Sequence, residues 1–428
     1  MKHHIAVIAS ALLFATGAMA HDIRATPSDA ALDALVRSAI EQTPELKSAR
    51  ATLDAARHRI EPARTPADPS LTTTYQNDGR GFSLGNAEGS FIGLMLSQAL
   101  PWPGKLSLNG KVAESEAREI ESGVLPRAAL TIEARVRNAW YDLVLARALD
   151  RVIDDRRETA AQIEQTTRDR YAAGLAVQQD VLRAQVELAR IDELKAAQRA
   201  SIANQLSELN HLLGQPQGTP IETSSELPEI ATLVEDHDFV ASALQRSPEL
   251  AAAKQSIETG RLRVGVAKKN FYPDFVVSGG SMFRGNYAMG PMWQVGVGVS
   301  IPLWLGKRQE NLLAEAEARV VAQTADADAV ARDLEMRTHE RLAQLEAAND
   351  VAVLYRDRII ALDELSLESA LASYRSGKVP FVTVFEAVNT LYADRATYLE
   401  RLATAAKWRV AIDEASLEAS ATGGMEMR

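Results

Sequence analysis

The feature that most constrains the fold is an internal duplication of the 428-residue chain. The stretch TPELKSARATLDAAR at 43–57 resembles SPELAAAKQSIETGR at 247–261, and the prolines Pro44 and Pro248 lie 204 residues apart. Further pairs follow in the same order at nearly the same spacing: DPSL with YPDF, LPWPGKL with IPLWLGKR, and RYAAGLAVQQDVL with SYRSGKVPFVTVF. A constant order and offset indicate one structural unit written twice. We place the repeats at 21–236 and 237–428.

Each repeat is predicted to contain a helix, a β-hairpin and two long helices. The strands show most clearly as alternation, which indicates a sheet with two different faces. In the second repeat the apolar face carries Trp293, Val295, Val297, Val299 and Ile301. In the first repeat it carries Ile92, Leu94, Leu96 and Leu100. Glycine-rich turns complete hairpins at 69–101 and 273–302, and strands of about ten residues can cross a bilayer when tilted.

Long helical runs follow each hairpin, and in the first run only Pro126 interrupts the pattern. Sixty-odd helical residues extend on the order of 100 Å at about 1.5 Å per residue. Their narrow apolar stripes need neighbouring helices. The predicted long helices are 105–170, 178–213, 307–374 and 380–415. A polar equatorial segment at 214–236 separates the repeats, and a polar tail follows residue 415.

The N-terminus predicts export. Residues 1–20 combine a basic start, an apolar core and the cleavage pattern Ala18-Met19-Ala20, which together indicate a secretory signal peptide. The chain contains 0 cysteines, which excludes disulfides, thiolate metal sites and a lipid anchor through cysteine. Its formal net charge of −10 and the lack of a basic stripe argue against nucleic-acid binding.

Four strands cannot close a membrane barrel, because open edges in lipid leave backbone groups unpaired. The smallest outer-membrane barrels use about eight strands. The chain is therefore expected to form one sector of an oligomer. A soluble periplasmic helical scaffold, whose hairpins never enter a membrane, stays as an alternative because its apolar sheet face would look the same.

The duplicated helix–hairpin–helix–helix unit, with its PWPGK phrase and Y-x-x-G turns, resembles the TolC family of trimeric outer-membrane efflux channels over essentially the whole mature chain. The resemblance implies a mainly α fold with membrane β: three chains forming a 12-stranded β-barrel joined to a long periplasmic α-helical barrel. It also implies a homotrimer in outer-membrane lipid, a periplasmic adaptor (membrane fusion) protein, an inner-membrane pump of the RND type, and no cofactor. The LPWPGK phrase resembles the heavy-metal branch, and a drug or type I secretion outlet is the alternative.

The PWPGK phrases are predicted to join barrel and tunnel. Proline ends a strand because it cannot sustain a central ladder, tryptophan suits the aromatic girdle at the membrane surface, and Gly-Lys begins the tunnel helix. The junction residues are Pro101, Trp102, Gly104, Lys105, Pro302, Trp304, Gly306 and Lys307.

The resemblance places an aperture and adaptor contacts at the periplasmic tip. The adaptor-contacting turns are Tyr171–Gly174 and Tyr374–Gly377. In the family, an acidic residue of the first repeat is held by a tyrosine and an arginine of the second, matching Asp180 and Tyr374 here. The arginine position is Val379, and the two ring positions are Thr383 and Glu386. Helix packing is the alternative role for Tyr374.

Enzymatic chemistry is not expected, because no catalytic constellation or nucleotide fingerprint is present. The acidic run Glu235–Asp238 is interpreted as the start of a helix near Phe239, with cation binding as the alternative. Soft-metal binding by methionine thioethers is an alternative to simple packing. The methionines concerned are Met282, Met289, Met292, Met425 and Met427.

Overall fold

A computed structural model describes residues 27–78, 81, 89–224, 226–228, 239–284 and 290–418. The predicted signal peptide, the acidic run Glu235–Asp238 and three of the five methionines (Met289, Met425 and Met427) lie outside these residues. None of the helices in the described ranges combines the length and apolar character that crossing a membrane requires.

The first repeat contains short helices, a hairpin and two long helical arms. Its elements are α1 (Pro27–Gln42), α2 (Pro44–His58), α3 (Ile60–Arg64), β1 (Ser70–Gln76), β2 (Phe91–Leu100), α4 (Lys105–Glu119), α5 (Leu125–Ala172) and α6 (Gln178–Leu212). The second repeat follows the same order. Its elements are α7 (Phe239–Arg246), α8 (Pro248–Lys269), β3 (Asp274–Phe283), β4 (Met292–Ser300), α9 (Glu310–Leu354), α10 (Ile360–Arg375) and α11 (Phe381–Asp413).

The two hairpins form a single four-stranded antiparallel sheet with the order β1-β2-β3-β4. The repeats meet at its centre, where β2 pairs with β3 from Ile92 opposite Phe283 to Leu100 opposite Phe275. Strands β1 and β4 are left as the outer edges. Long helices with one attached sheet agree with the mainly α fold with β structure that the sequence predicts.

The long helical runs contain π-helical turns that periodicity alone does not reveal. One at Ile120–Val124 separates α4 from α5 and ends two residues before Pro126. Proline has no N–H and its ring would clash with the carbonyl four residues earlier, so a wider turn accommodates it. The prediction of an unbroken helix over 307–374 is wrong in detail. Further π-helical turns lie at Leu305–Gln309 and Tyr355–Ile359, where no proline signals them.

The long helices lie side by side in the order α6, α5, α11, then α9 with α10. Polar contacts join neighbouring helices: Arg157 of α5 binds Asp192 of α6 at 2.7 Å. The hydroxyls of Thr159 in α5 and Tyr392 in α11 lie 2.7 Å apart. Arg395 of α11 binds Glu364 of α10 at 2.7 Å. The helical layer therefore has two free edges, α6 on one side and α9–α10 on the other.

The main core lies at the equator, where α1, α5, α6 and α11 meet around the buried Trp140. The segment after α6, predicted only as polar, supplies Leu213, Ile221 and Leu227 to this core. Arg147 of α5 secures it by donating to the Ile221 carbonyl at 2.8 Å. These apolar residues are isolated in a polar segment and show no periodicity, so the sequence did not predict that they pack into the core.

Candidate channel surfaces: the sheet face, the junctions and the helical tip

The sheet presents one continuous apolar face. The strand register aligns Leu96 with Leu71, Leu100 with Phe275, and Val277 with Val297, so these side chains share a face. On β4, Trp293 is 79% exposed and Val297 is 69% exposed. Exposed large apolar patches mark interaction surfaces with membranes or proteins, and within the described protomer nothing covers this one.

The opposite face of the sheet is small and polar. Here Gly298 lies opposite Val276, and Gly296 lies opposite Ser278. A β-carbon at Gly298 would lie 3.7 Å from the nearest carbon of Val276, an ordinary contact. Met282 and Met292 also face each other on this side, as the last pair of the β3–β4 ladder.

The first junction is fastened by residues of the second repeat. The Lys105 ammonium lies 3.0 Å from both carboxylate oxygens of Asp274, and the Trp102 amide donates to Asp274 Oδ1 at 2.8 Å. The Trp102 ring stacks on Tyr272 with 5.0 Å between centroids. Gly104 caps α4 at a φ of 86°, a conformation that favours glycine. We call this set of contacts the clasp.

The second junction differs from the first, although the sequence predicts equivalent turns. Gly306 lies inside a π-helical turn at Leu305–Gln309 and is not in the left-handed region that Gly104 adopts. Trp304 makes the turn instead, with φ −98° and ψ 42°, and its side chain is 65% exposed. This phrase has one residue more between its proline and its lysine, which changes where the turn must form.

Both tip turns end their helices in the same way. Gly174 and Gly377 have φ values of 72° and 77°. The Leu175 amide donates to the Arg170 carbonyl at 2.7 Å, and the Lys378 amide donates to the Ser373 carbonyl at 2.9 Å. These six-residue closures, with glycine just beyond the helix, are Schellman motifs. They reverse the chain within a few residues and so define the end of the helical arms.

Tyr374 is buried at the tip and packs against the first repeat. Its hydroxyl lies 3.4 Å from the Thr167 hydroxyl, and its ring forms an edge contact with Phe381 at 6.0 Å. The Arg170 guanidinium lies over the ring at 4.9 Å. Arg170 also donates to carbonyls of both turns, those of Arg375 and Leu175. The two turns are thus joined through one arginine.

The other residues predicted at the aperture lie near this contact but do not join it. Asp180 is in the first turn of α6, and Thr383 and Glu386 are in the first turns of α11. Within the described part of the protomer, Tyr374 is bonded to Thr167 and no hydrogen bond links it to Asp180. The resemblance implied an arginine in the second repeat, at the position of Val379. The structure instead supplies one from the first repeat.

Two functional contacts had only weak sequence signals. Arg170 could have been suspected as a basic residue in the last turn of a helix, which commonly caps carbonyls. Asp274 lies in the repeated YPDF stretch, but the equivalent position in the first repeat is Ser70. The duplication therefore does not indicate that an acidic residue is needed at this position.

A carboxyl pair occupies the contact between α10 and α11. Burial, together with a hydrogen bond and charge repulsion from Asp394, raises the pKa of Asp363 to about 6. Two close carboxyl groups cannot both ionise without cost, so the protonated form of Asp363 is favoured.

Comparison with known proteins identifies the family. The model of the outer membrane efflux protein family matches residues 35–215 and 239–417, one segment for each repeat. The cobalt-zinc-cadmium resistance protein CzcC of Cupriavidus metallidurans is 24% identical, covering 86% of this chain and 85% of that protein. Outer membrane protein TolC of Vibrio cholerae is also 24% identical, covering 84% of each chain.

Solved structures show the same fold. The outer-membrane channel OprN superposes with a TM-score of 0.75 at 20% identity, over 92% of this chain and 91% of that one. The sequence-based expectation that the chain is not an enzyme is confirmed by the family, whose members are efflux proteins. The duplicated fold, the single sheet with one apolar face and the family match over both repeats lead to one conclusion: this chain belongs to the outer membrane efflux protein family.

Proposed function

We propose that this chain forms the outer-membrane exit duct of a tripartite efflux system, as a homotrimer whose sheets close a 12-stranded barrel. The observation that carries the proposal is the exposed apolar sheet face, on which Val295, Val297 and Val299 follow one another in register. Strands β2, β3 and β4 have 10, 10 and 9 residues, close to the length that crosses a bilayer when tilted. The small polar face would then line the lumen.

The free edges of the protomer support a ring. On the helical layer, α6 exposes Leu182, Val186 and Leu194, while the opposite edge exposes Leu362 and Leu365. On the sheet, the corresponding edges are β1 and β4. Different edges that fit each other make a head-to-tail contact, which closes into a ring when the rotation allows it. Closure removes the unpaired strand edges that lipid does not tolerate.

The tip is proposed as the contact for the periplasmic adaptor, with an inner-membrane pump of the RND type supplying the energy. The turns expose Tyr171, Leu175 and Val177 at 46%, 65% and 59%. Beside them, α6 and α11 enclose a groove of about 500 Å³ that contains Phe381 and Phe385. Exposed apolar residues around a groove suit the reception of a partner helix or hairpin.

Arg170 and the acidic residues are proposed to set the aperture. Because Arg170 joins both turns and covers Tyr374, it holds the tip in one arrangement. Asp180 and Glu386 stay available to give the aperture a negative charge, which favours cations. Thr383, which takes a ring position that is acidic in relatives, reduces that charge.

Heavy-metal cations are the proposed cargo, which makes the chain part of a metal resistance system. The similarity to CzcC, named for cobalt, zinc and cadmium resistance, supports this proposal. The equal identity to TolC keeps a drug or secretion outlet as the competing function.

Two experiments test these proposals at different levels. Membrane fractionation with native mass measurement in detergent should give an outer-membrane trimer. A soluble monomer would overturn the duct and leave the periplasmic scaffold. Compared with its parent, a deletion strain should gain more sensitivity to cobalt, zinc, cadmium or copper than to drugs and detergents. A gain in sensitivity to drugs alone would indicate that drugs, and not metals, are the cargo.

A further inference from the structure

The two junctions of the duplicated chain have unequal surroundings. The first is held by the clasp, in which Lys105 and Trp102 contact Asp274 and Tyr272 at the start of β3. In the second, Lys307 and Trp304 are exposed, and within the described residues Lys307 forms no ion pair. The same Trp and Lys pattern thus has binding partners in the first repeat and lacks them in the second. This difference suggests that the second junction binds residues of another chain.

We propose that Trp304 and Lys307 clasp the start of β1 in the neighbouring copy of this chain, around Asp68. The inference rests on the proposed ring and assigns its register. In the first junction, Leu100 precedes the proline and pairs with Phe275. Their equivalents by the duplication are Ile301, before Pro302, and Leu71, which lies 204 residues before Phe275. Ile301 therefore lies opposite the neighbour's Leu71.

The apolar face independently supports this register. Ile301 and Leu71 are each 67% exposed. Leu71 belongs to the apolar face of the sheet, and Ile301, directly beyond β4, continues the alternation of Val297 and Val299. A slip of one residue would turn every apolar side chain of the incoming strand to the other face. Only registers that differ by an even number of residues keep the face continuous, and the register given by the duplication is one of them.

Charge and chain length also fit. The second phrase has one extra residue, so Lys307 lies further beyond the end of its strand than Lys105 does. The acidic residue available on the other side is likewise further from the sheet: Asp68 lies two residues before Ser70, the equivalent of Asp274. In an antiparallel pair, the end of β4 lies beside the start of the neighbour's β1. Lys307, beyond the end of β4, and Asp68, before the start of β1, are therefore displaced from the sheet in the same direction. Asp68 is exposed in the protomer and free to receive the ammonium group.

Cysteine cross-linking tests the assignment directly, because the chain contains 0 cysteines. The double variant Asp68→Cys with Lys307→Cys is purified from membranes, treated with a short bis-maleimide and run on a denaturing gel. We expect covalent dimers and trimers. Within one chain the two positions belong to opposite edges of a four-stranded sheet, roughly 14 Å apart at about 4.8 Å per strand. The matched control, Lys105→Cys with Asp274→Cys, should cross-link inside one chain and leave the mass of a monomer.

The outcomes separate this inference from the proposed function. A native trimer without intermolecular cross-links, while the control pair reacts, overturns the clasp between copies and leaves the duct intact. A native monomer overturns both. If the cysteine variants do not assemble, exchanging the charges at positions 307 and 68 tests the same pairing. Lys307→Glu should lower the temperature at which the trimer dissociates in detergent, and adding Asp68→Lys should restore it. No restoration would contradict the pairing.

Discussion

The face assignment of the sheet can be tested by placing a charge on each side of β4. Val297 is the sixth of nine residues in the strand, about 10 Å from its junction end at roughly 3.3 Å per residue. Its side chain is 69% exposed on the apolar face. An arginine at mid-bilayer on that face costs about 2–4 kcal/mol per chain. In a three-chain assembly, Val297→Arg should therefore cost about 6–12 kcal/mol of folding free energy.

The matched control is Gly298→Arg, one residue away at the same depth but on the small polar face. A β-carbon at Gly298 meets only ordinary contacts with Val276, so the new side chain can extend into the proposed lumen. Both variants are refolded into lipid vesicles and titrated with urea, with tryptophan fluorescence reporting unfolding. Val297→Arg should shift the midpoint far more than Gly298→Arg. Equal shifts would refute the assignment of faces, and no shift for Val297→Arg would refute burial of this face in lipid.

Three further predictions concern the helical arms. Arg170→Ala should raise single-channel conductance by releasing both tip turns, whereas Arg168→Ala, which removes only an ion pair with Glu164, should not. Equal effects of the two variants would exclude the proposed role of Arg170 in holding the tip. Glu386→Gln should lower cation preference, measured as reversal potential in a salt gradient, with little change in conductance; an unchanged potential would exclude Glu386 from the aperture. Because the pKa of Asp363 is raised to about 6, its contribution to stability is present below the unfolded pKa of about 4 and lost as the pH rises through about 6. Asp363→Asn should remove that loss in denaturant titrations across this pH range, and an unchanged pH dependence would contradict the raised pKa of Asp363.

The general fold could be predicted from sequence because periodicity and duplication are properties of the chain itself. Alternation over Trp293 to Ile301 indicated a two-faced strand, and the structure places Trp293, Val295, Val297 and Val299 on one exposed face. The Y-x-x-G turns also carried their own signal, because glycine beyond a helix end favours the left-handed conformation that Gly174 and Gly377 adopt.

Contacts between the repeats could not be predicted, because they depend on which distant segments meet. The residues around Asp274 in the sequence do not indicate that it binds Lys105, which lies 169 residues away along the chain. Similarly, Tyr374 was assigned a partner by resemblance, whereas its hydroxyl meets Thr167 and its ring meets Arg170. The π-helical turn at Tyr355–Ile359 also lacks a sequence signal, since no proline or glycine marks it.

Single-channel recording of the purified protein in a planar lipid bilayer tests the central claim most directly. If copies of this chain close a ring around the small polar face of the sheet, the current should rise in discrete steps of uniform size. With Glu386 and Asp180 near the narrow end, these openings should favour cations. Protein that inserts stably into the bilayer, as shown by its co-flotation with vesicles, yet never conducts would contradict the account of this chain as a membrane duct.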